Sequence, residues 1–210
     1  MIQSQINLNN LEALNESIFN CSKCISENRT VGYPYPMFIG SESDCSILVI
    51  GQSPGIAFND KDPIVFSYEN KLPYRLHSLM YHRSLAKSLI ITFVKNNLGL
   101  MSEKLLWTNV CKCVYLNNQP PNEQEIRHGK IHLFKQIELI KPQLKLVITL
   151  GKPASSVFNV SPSSIPTLIK FDTYSILPLY HPAYIRRIND KQHCIKATNI
   201  IKYMELIKCL

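Results

Sequence analysis

A chain of 210 residues is long enough to bury the core of one domain without disulfide bonds. Hydrophobic residues make up 45% and charged residues 18%, which is typical of globular proteins and excludes disordered and low-complexity chains. Because 23 Lys and Arg outnumber 15 Asp and Glu, the formal net charge is +8, which favours a polyanionic partner such as nucleic acid.

Apolar and polar segments alternate along the chain in a way that predicts a single domain, residues 1–210. Near the N-terminus, Leu11, Leu14 and Ile18 share one face of an amphipathic helix that leads into Cys21. In chain order, the predicted elements are a helix over 9–20, a loop over 26–44, a strand over 45–51, a helix over 75–97, a strand over 105–113, a helix over 123–140, a strand over 145–151, a helix over 152–158, a strand over 174–181 and a helix over 190–208.

Short apolar strands that alternate with helices predict an α/β fold, a three-layer sandwich with a central four-stranded, mostly parallel sheet flanked by helices. Pro178 removes a ladder hydrogen bond from the last strand, so we expect that strand at an edge of the sheet. Ligands of such sheets bind beyond the carboxyl ends of the strands. Here those ends carry the segments GQSPG, TNVCKC, LGKPAS and YHPAYIRR, which predicts a functional site at the carboxyl end of the sheet.

The longest apolar runs are much shorter than the roughly 20 residues that a membrane-spanning helix needs. The N-terminus, MIQSQINLNN, lacks the order of charged and apolar residues that marks a signal peptide. We therefore expect a cytoplasmic monomer in a reducing compartment. The seven cysteines are then metal ligands or free thiols in preference to disulfides.

These segments resemble the uracil-DNA glycosylase superfamily, and most closely its iron–sulfur branch, family 4. The resemblance extends from about Leu11 to Arg187. Its blocks follow the order of the family and read CSKC (21–24), ENRTV (27–31), GQSPG (51–55), TNVCKC (108–113), IELIKP and LVITLGKPA (137–154) and YHPAYIRR (180–187).

The resemblance implies an enzyme that extrudes a nucleotide from DNA and hydrolyses the bond between base and sugar. His181 matches the donor to the pyrimidine O2, and Asn109 matches the amide that reads the base edge. The structural alternatives are a capping histidine at a strand end and a turn asparagine.

Further residues match the parts of the family that contact base and DNA. The first loop supplies Gly51, Pro54 and Gly55, whose backbone approaches base and sugar. After the HP block, Tyr184 with Arg186 and Arg187 resembles the wedge that fills the vacated stack and holds phosphates. Either arginine is alternatively a plain surface charge.

The first loop departs from the family pattern G-E-A-P-G, because Gln52 and Ser53 replace its glutamate and alanine. We assign these two residues to the catalytic set. Asp60 and Asp62 are candidates to replace the missing carboxylate, but a surface-loop role is the favoured interpretation for either. Downstream, the family's base-stacking phenylalanine is Ile64, and Phe66 follows two residues later as the base-contacting candidate. The expected base is therefore uracil or a related pyrimidine, a modified one included.

The family binds a 4Fe-4S cluster through four cysteines, and Cys21, Cys24 and Cys113 match three of them. The fourth position is Gly129, so the resemblance makes His128 the fourth ligand. The alternative ligands are His132 and Cys111, the latter expected on the same side of a strand as Cys113. Zinc, or no metal, is the alternative to the cluster.

The resemblance thus implies a monofunctional DNA glycosylase that acts on DNA containing an aberrant or modified pyrimidine and leaves an abasic site. A defence or restriction glycosylase for a modified base and a non-catalytic DNA-binding relative are the alternatives. Neither a dinucleotide-binding G-x-G-x-x-G nor a phosphate-binding G-x-x-x-x-G-K-[ST] motif occurs.

Overall fold

The computed structural model describes residues 8–24, 29–31, 34, 46–54, 89–100 and 105–206. Its strands are β1 (Thr30–Val31), β2 (Ile47–Gly51), β3 (Leu105–Asn109), β4 (Val114–Tyr115), β5 (Leu146–Leu150), β6 (Ile169–Phe171) and β7 (Tyr174–Leu179). Its helices are α1 (Leu8–Phe19), α2 (Leu89–Leu98), α3 (Glu123–Ile140), α4 (Lys152–Ser156), α5 (Pro182–Ile188) and α6 (Lys191–Leu206), with a 3-10 turn at Leu116–Asn118.

The central sheet contains five strands in the order β3-β2-β5-β7-β6, which corrects the predicted number of four. Strands β3, β2, β5 and β7 are parallel, and β6 pairs antiparallel with β7. The α/β prediction is confirmed. The extra strand escaped prediction because its three residues, IKF, are too few for a periodic pattern.

Both faces of the sheet are buried, as the continuous apolar strands predict. On one face, Val49 and Trp107 pack with residues of α2, α5 and α6. On the other face, Ile50 and Leu106 pack with residues of α3 and α4. The C-terminal helix packs back on the sheet through Ile201, as expected. Within the described ranges, none of the helices combines the length and the hydropathy that a membrane span needs.

The strand with Pro178 does not lie at the edge of the sheet, which corrects the prediction. It is flanked by β5 and β6, but β6 pairs only with Tyr174–Ile176. Pro178 lies beyond this pairing and faces Thr149 of β5, so the missing N–H disturbs no ladder bond to β6. Among the described residues, β7 is therefore unpaired on this side only over its last three residues, 177–179, and not along its whole length.

The strand predicted over 105–113 ends at Asn109. Beyond it the chain turns, and Val114–Tyr115 then pairs antiparallel with Thr30–Val31 in a separate two-stranded sheet. Cys111 and Cys113 therefore lie in a turn, and the prediction that they share one side of a strand is wrong. This turn adjoins the first loop, because the amide of Cys111 donates to the carbonyl of Gln52 at 3.0 Å.

Helix α3 begins at a capping box. The Asn122 side chain accepts from the Glu125 amide at 2.9 Å, and the Glu125 carboxylate accepts from the Asn122 amide at 2.6 Å. The same carboxylate pairs with Arg29 through bonds of 2.9 and 3.1 Å. This bidentate pair ties the segment after CSKC to the start of α3, which adjoins the candidate metal ligands.

Candidate active site at the carboxyl end of the sheet

The predicted site residues come from neighbouring strands whose carboxyl ends meet at one edge of the sheet. Gly51 ends β2 beside Asn109, which ends β3, and the two are register partners. The Val110 amide donates to the Gly51 carbonyl at 3.0 Å, and the Gly151 amide donates to the Leu179 carbonyl at 2.8 Å. The edge predicted from the order of elements is therefore the place where these segments lie.

His181 caps the N-terminus of α5, directly after β7. Its Nδ1 accepts a hydrogen bond from the Ala183 amide at 3.2 Å, so the proton of the neutral ring resides on Nε2. Burial lowers the pKa of His181. The site thus holds a neutral imidazole that can donate through Nε2, and the capping role is compatible with this chemistry.

Gly151 lets β5 approach His181 closely. Its φ of +88° belongs to a backbone region that other residues rarely adopt. A Cβ at this position would lie 3.1 Å from the His181 Cβ, closer than ordinary packing. The glycine of LGKPAS is therefore required both by backbone conformation and by the position of the histidine.

The variant Gly151→Ala is expected to lose about 1–3 kcal/mol of stability from backbone strain. It should also release base about 10- to 100-fold more slowly, because the new methyl group displaces His181. Gly99→Ala is the matched control, since Gly99 also has a positive φ, +67°, but no heavy atom of the described residues beyond its chain neighbours lies within 4 Å of the place that its methyl group would take. Thermal unfolding and single-turnover base release measure the two effects, and equal activity losses in both variants would contradict the argument.

Asn109 is 2% exposed at the end of β3. Its carbonyl accepts a bond from the buried Lys112 Nζ at 2.5 Å, and the same ammonium donates to Thr108 Oγ1 at 2.8 Å and Gln136 Oε1 at 2.6 Å. Burial lowers the pKa of Lys112 to about 7. Lys112 and Gln136 escaped the sequence analysis, although a lysine within the apolar segment VCKCV was the available signal.

Gln52 and Ser53 are half-buried in the first loop, and Pro54 is buried. The Gln52 backbone contacts the turn after Asn109 through the Cys111 amide. The remaining residues predicted for this region lie outside the described part of the chain, namely Gly55, Phe66, Asp60, Asp62 and Ile64.

An exposed group of aromatic and cationic side chains follows His181 on α5. The Arg187 guanidinium lies over the Tyr184 ring at 5.6 Å, and Arg186 is also exposed. The Tyr184 ring meets that of Tyr180 edge-on at 5.0 Å. This arrangement places an aromatic side chain and two cations beside the candidate catalytic histidine. Cations in the last turn of a helix also interact favourably with the negative end of the helix dipole.

Two predicted metal ligands lie in contact, since Cys24 Sγ and His128 Nδ1 are 3.6 Å apart. A hydrogen bond with the Cys113 thiol and the proximity of His128 lower the pKa of Cys24 to about 6. The same hydrogen bond between the two thiols and burial raise the pKa of Cys113, and the charge of Cys21 acts in the same direction. The structure thus brings Cys24 close to His128 and Cys113, and it favours thiolate character at Cys24, the form that binds metals.

Gly129 allows α3 to lie directly against the turn after Asn109. A Cβ at this position would lie 2.3 Å from the Val110 carbonyl oxygen. A cysteine in place of Gly129, as the family resemblance would have it, does not fit this packing. The donor set of three thiols and the neighbouring His128 imidazole does fit the ligand chemistry of an iron–sulfur or zinc centre.

The alternative ligands have different surroundings. Burial raises the pKa of Cys111 to about 12, which favours the neutral thiol. Burial lowers the pKa of His132 to about 4, and its Nδ1 has no hydrogen-bond partner among the described residues. Over the described ranges, no three His, Cys, Asp or Glu side chains are arranged to hold a single metal ion.

Comparisons with known proteins point to one family. Residues 38–205 match the family model of the Uracil DNA glycosylase superfamily. A Type-4 uracil-DNA glycosylase of Sulfurisphaera tokodaii is 28% identical over 84% of this chain and 76% of its own length. Proteins of the same name are 29% identical in Saccharolobus solfataricus, over 84% of this chain and 77% of the relative, and 25% identical in Archaeoglobus fulgidus, over 85% and 84%.

Proposed function

Because the chain belongs to the uracil-DNA glycosylase superfamily and is a DNA glycosylase, we propose that it removes uracil from DNA and leaves an abasic site. The observation that carries the proposal is His181, a half-buried neutral imidazole whose Nδ1 is occupied by a backbone amide and whose Nε2 is left to donate. A plain DNA-binding protein has no use for such a donor.

The proposed reaction begins when the nucleotide leaves the duplex and its base enters the site at the carboxyl ends of β2, β3 and β5. Cleavage of the glycosidic bond leaves negative charge on the pyrimidine and positive charge on the sugar. His181 Nε2–H donates to O2 where the negative charge develops, and water adds to the sugar C1′ with loss of a proton. The Asn109 amide donates to O4 and accepts from N3–H, a pattern that suits uracil and not cytosine. Arg186 and Arg187 hold the DNA backbone.

The first loop favours a second substrate class. Gln52 and Ser53 supply an amide and a hydroxyl, which orient water but do not take its proton as a carboxylate does. This altered first loop supports, as the second candidate, a glycosylase that acts on a modified pyrimidine. The non-catalytic alternative is set aside, because the family and the curated relatives indicate an enzyme.

A panel of labelled oligonucleotides tests the proposed function. Each carries one pyrimidine, either uracil, thymine, cytosine or a 5-substituted derivative, in single-stranded or duplex form. Abasic products are cleaved with alkali and counted. We expect cleavage at uracil, and cleavage only at a 5-substituted base would transfer the proposal to the second candidate. No cleavage at any base would refute the glycosylase reaction.

A metal centre is part of the proposal, with Cys21, Cys24 and Cys113 as thiolate ligands and His128 as the fourth. A 4Fe-4S cluster is the proposed group, and zinc is the alternative. The contact between Cys24 and His128 and the lowered pKa of Cys24 support this set. The centre would brace the turn after Asn109, which is a structural role outside the hydrolysis itself.

Anaerobically purified protein is therefore expected to be brown and to contain about four irons per chain. The variant His128→Ala should lose most of this iron, whereas Cys194→Ala should retain it, because Cys194 lies on α6, in the core on the face of the sheet opposite Cys113. Elemental analysis and the visible spectrum provide the measurement. If the protein contains zinc and no iron, the proposed metal changes but the proposed ligands stand. If His128→Ala retains its iron, His128 is not the fourth ligand.

A further inference from the structure

Lys112 is an ionisable residue whose three hydrogen-bond acceptors are all neutral. It is 3% exposed, and its Nζ contacts Thr108 Oγ1, the Asn109 carbonyl and Gln136 Oε1. Taking an ammonium out of water is costly, and bonds to neutral acceptors recover only part of that cost. A methionine would fill the same space without it, so stability alone does not account for a lysine here.

The acceptors of Lys112 belong to two elements that meet behind the candidate active site. Thr108 and Asn109 end β3, whereas Gln136 belongs to α3. Thr108 Oγ1 also donates to Gln136 Oε1 at 2.8 Å, which closes the group. Lys112 therefore joins the end of β3 to α3. The joint lies at Asn109, whose side chain is proposed to read the base.

The turn that contains Lys112 also carries the first loop. The amides of Val110 and Cys111 donate to the carbonyls of Gly51 and Gln52, both at 3.0 Å. The residues between Asn109 and Lys112 thus form a backbone bridge between the two segments that are proposed to surround the base. A shift at Lys112 would reach Asn109 directly and the first loop through this bridge.

We propose that Lys112 is a positioning residue that sets the Asn109 amide against the flipped base and thereby determines base selectivity. The inference rests on the proposed function, because it deepens the role given there to Asn109. Lys112 itself touches no substrate. It acts by holding the Asn109 carbonyl, so that the side chain on the same residue keeps one direction.

The test compares Lys112→Met with wild-type protein in steady-state base release from uracil and cytosine oligonucleotides. We expect kcat for uracil to fall by about 10- to 100-fold, with KM nearly unchanged, because misplaced groups affect the transition state more than DNA binding. The ratio of uracil to cytosine release should fall as well. Lys145→Met is the matched control, since Lys145 is exposed at the opposite end of the sheet, and it should behave as wild type.

Thr108→Val keeps the side-chain shape, removes one acceptor, and tests the same inference if Lys112→Met does not fold. It should lower the uracil-to-cytosine ratio in the same direction by a smaller factor. Thermal unfolding separates the roles, because a purely structural lysine lowers Tm and leaves kcat and selectivity of the folded protein unchanged. That last result in both variants overturns the inference, whereas a wild-type protein inactive on every base refutes the proposed function instead.

Discussion

The variant His181→Ala is expected to release base about 100- to 1,000-fold more slowly than the wild-type protein, with nearly unchanged affinity for DNA. The Nε2–H donor stabilises charge that develops only as the glycosidic bond breaks, so its loss raises the barrier and spares the ground state. Single-turnover release from a uracil oligonucleotide gives the rate, and binding to uncleavable DNA gives the affinity.

His181→Gln is the informative companion variant, because glutamine retains a side-chain amide that can donate. It should recover part of the lost rate. Since His181 also caps α5 through Ala183, both variants should lose similar stability, and thermal unfolding checks this. A His181→Ala protein that releases uracil at the wild-type rate would exclude His181 from the reaction.

The variant Asn109→Asp is expected to weaken the preference for uracil over cytosine. The carboxylate accepts hydrogen bonds but cannot donate to uracil O4, and it suits the exocyclic amine of cytosine. One lost base contact is worth about 1–3 kcal/mol, so uracil release should slow by roughly 5- to 150-fold. Release of cytosine should become measurable on the same oligonucleotide panel.

Asn159→Asp is the matched control for this substitution. Asn159 is an exposed turn residue with a φ of +58°, a conformation that both asparagine and aspartate tolerate. It should keep the wild-type preference and rate. An unchanged uracil-to-cytosine ratio in Asn109→Asp would remove Asn109 from the base pocket and leave the role of reader unassigned.

The elements that could be predicted from sequence are those with strong local signals. The helix predicted over 123–140 begins and ends at those residues, because its capping box and its apolar period are both written within one segment. The strand predicted over 105–113 is too long. Its apolar residues continue past Asn109, but the amides of Val110 and Cys111 bond to the first loop instead of extending a ladder.

The candidate metal ligands show the same limit. The C-x-x-C spacing and the later Cys113 are visible in the sequence, and so is the missing cysteine at Gly129. Why that position holds glycine is not visible, since the reason is the Val110 carbonyl, 2.3 Å from where a Cβ would lie. The contact between Cys24 and His128 joins residues 104 positions apart, which no local pattern encodes.

The order of the strong apolar and helical segments along the chain was enough to place His181 and Asn109 at the carboxyl end of the sheet, because the carboxyl ends of neighbouring parallel strands meet there. The chemical state of these groups depends instead on tertiary contacts. The amide of Ala183 selects the His181 tautomer, and burial keeps that ring neutral. Lys112 acquires its role in the same way, because solvent exclusion and the oxygens around an ammonium depend on elements brought together from distant parts of the chain.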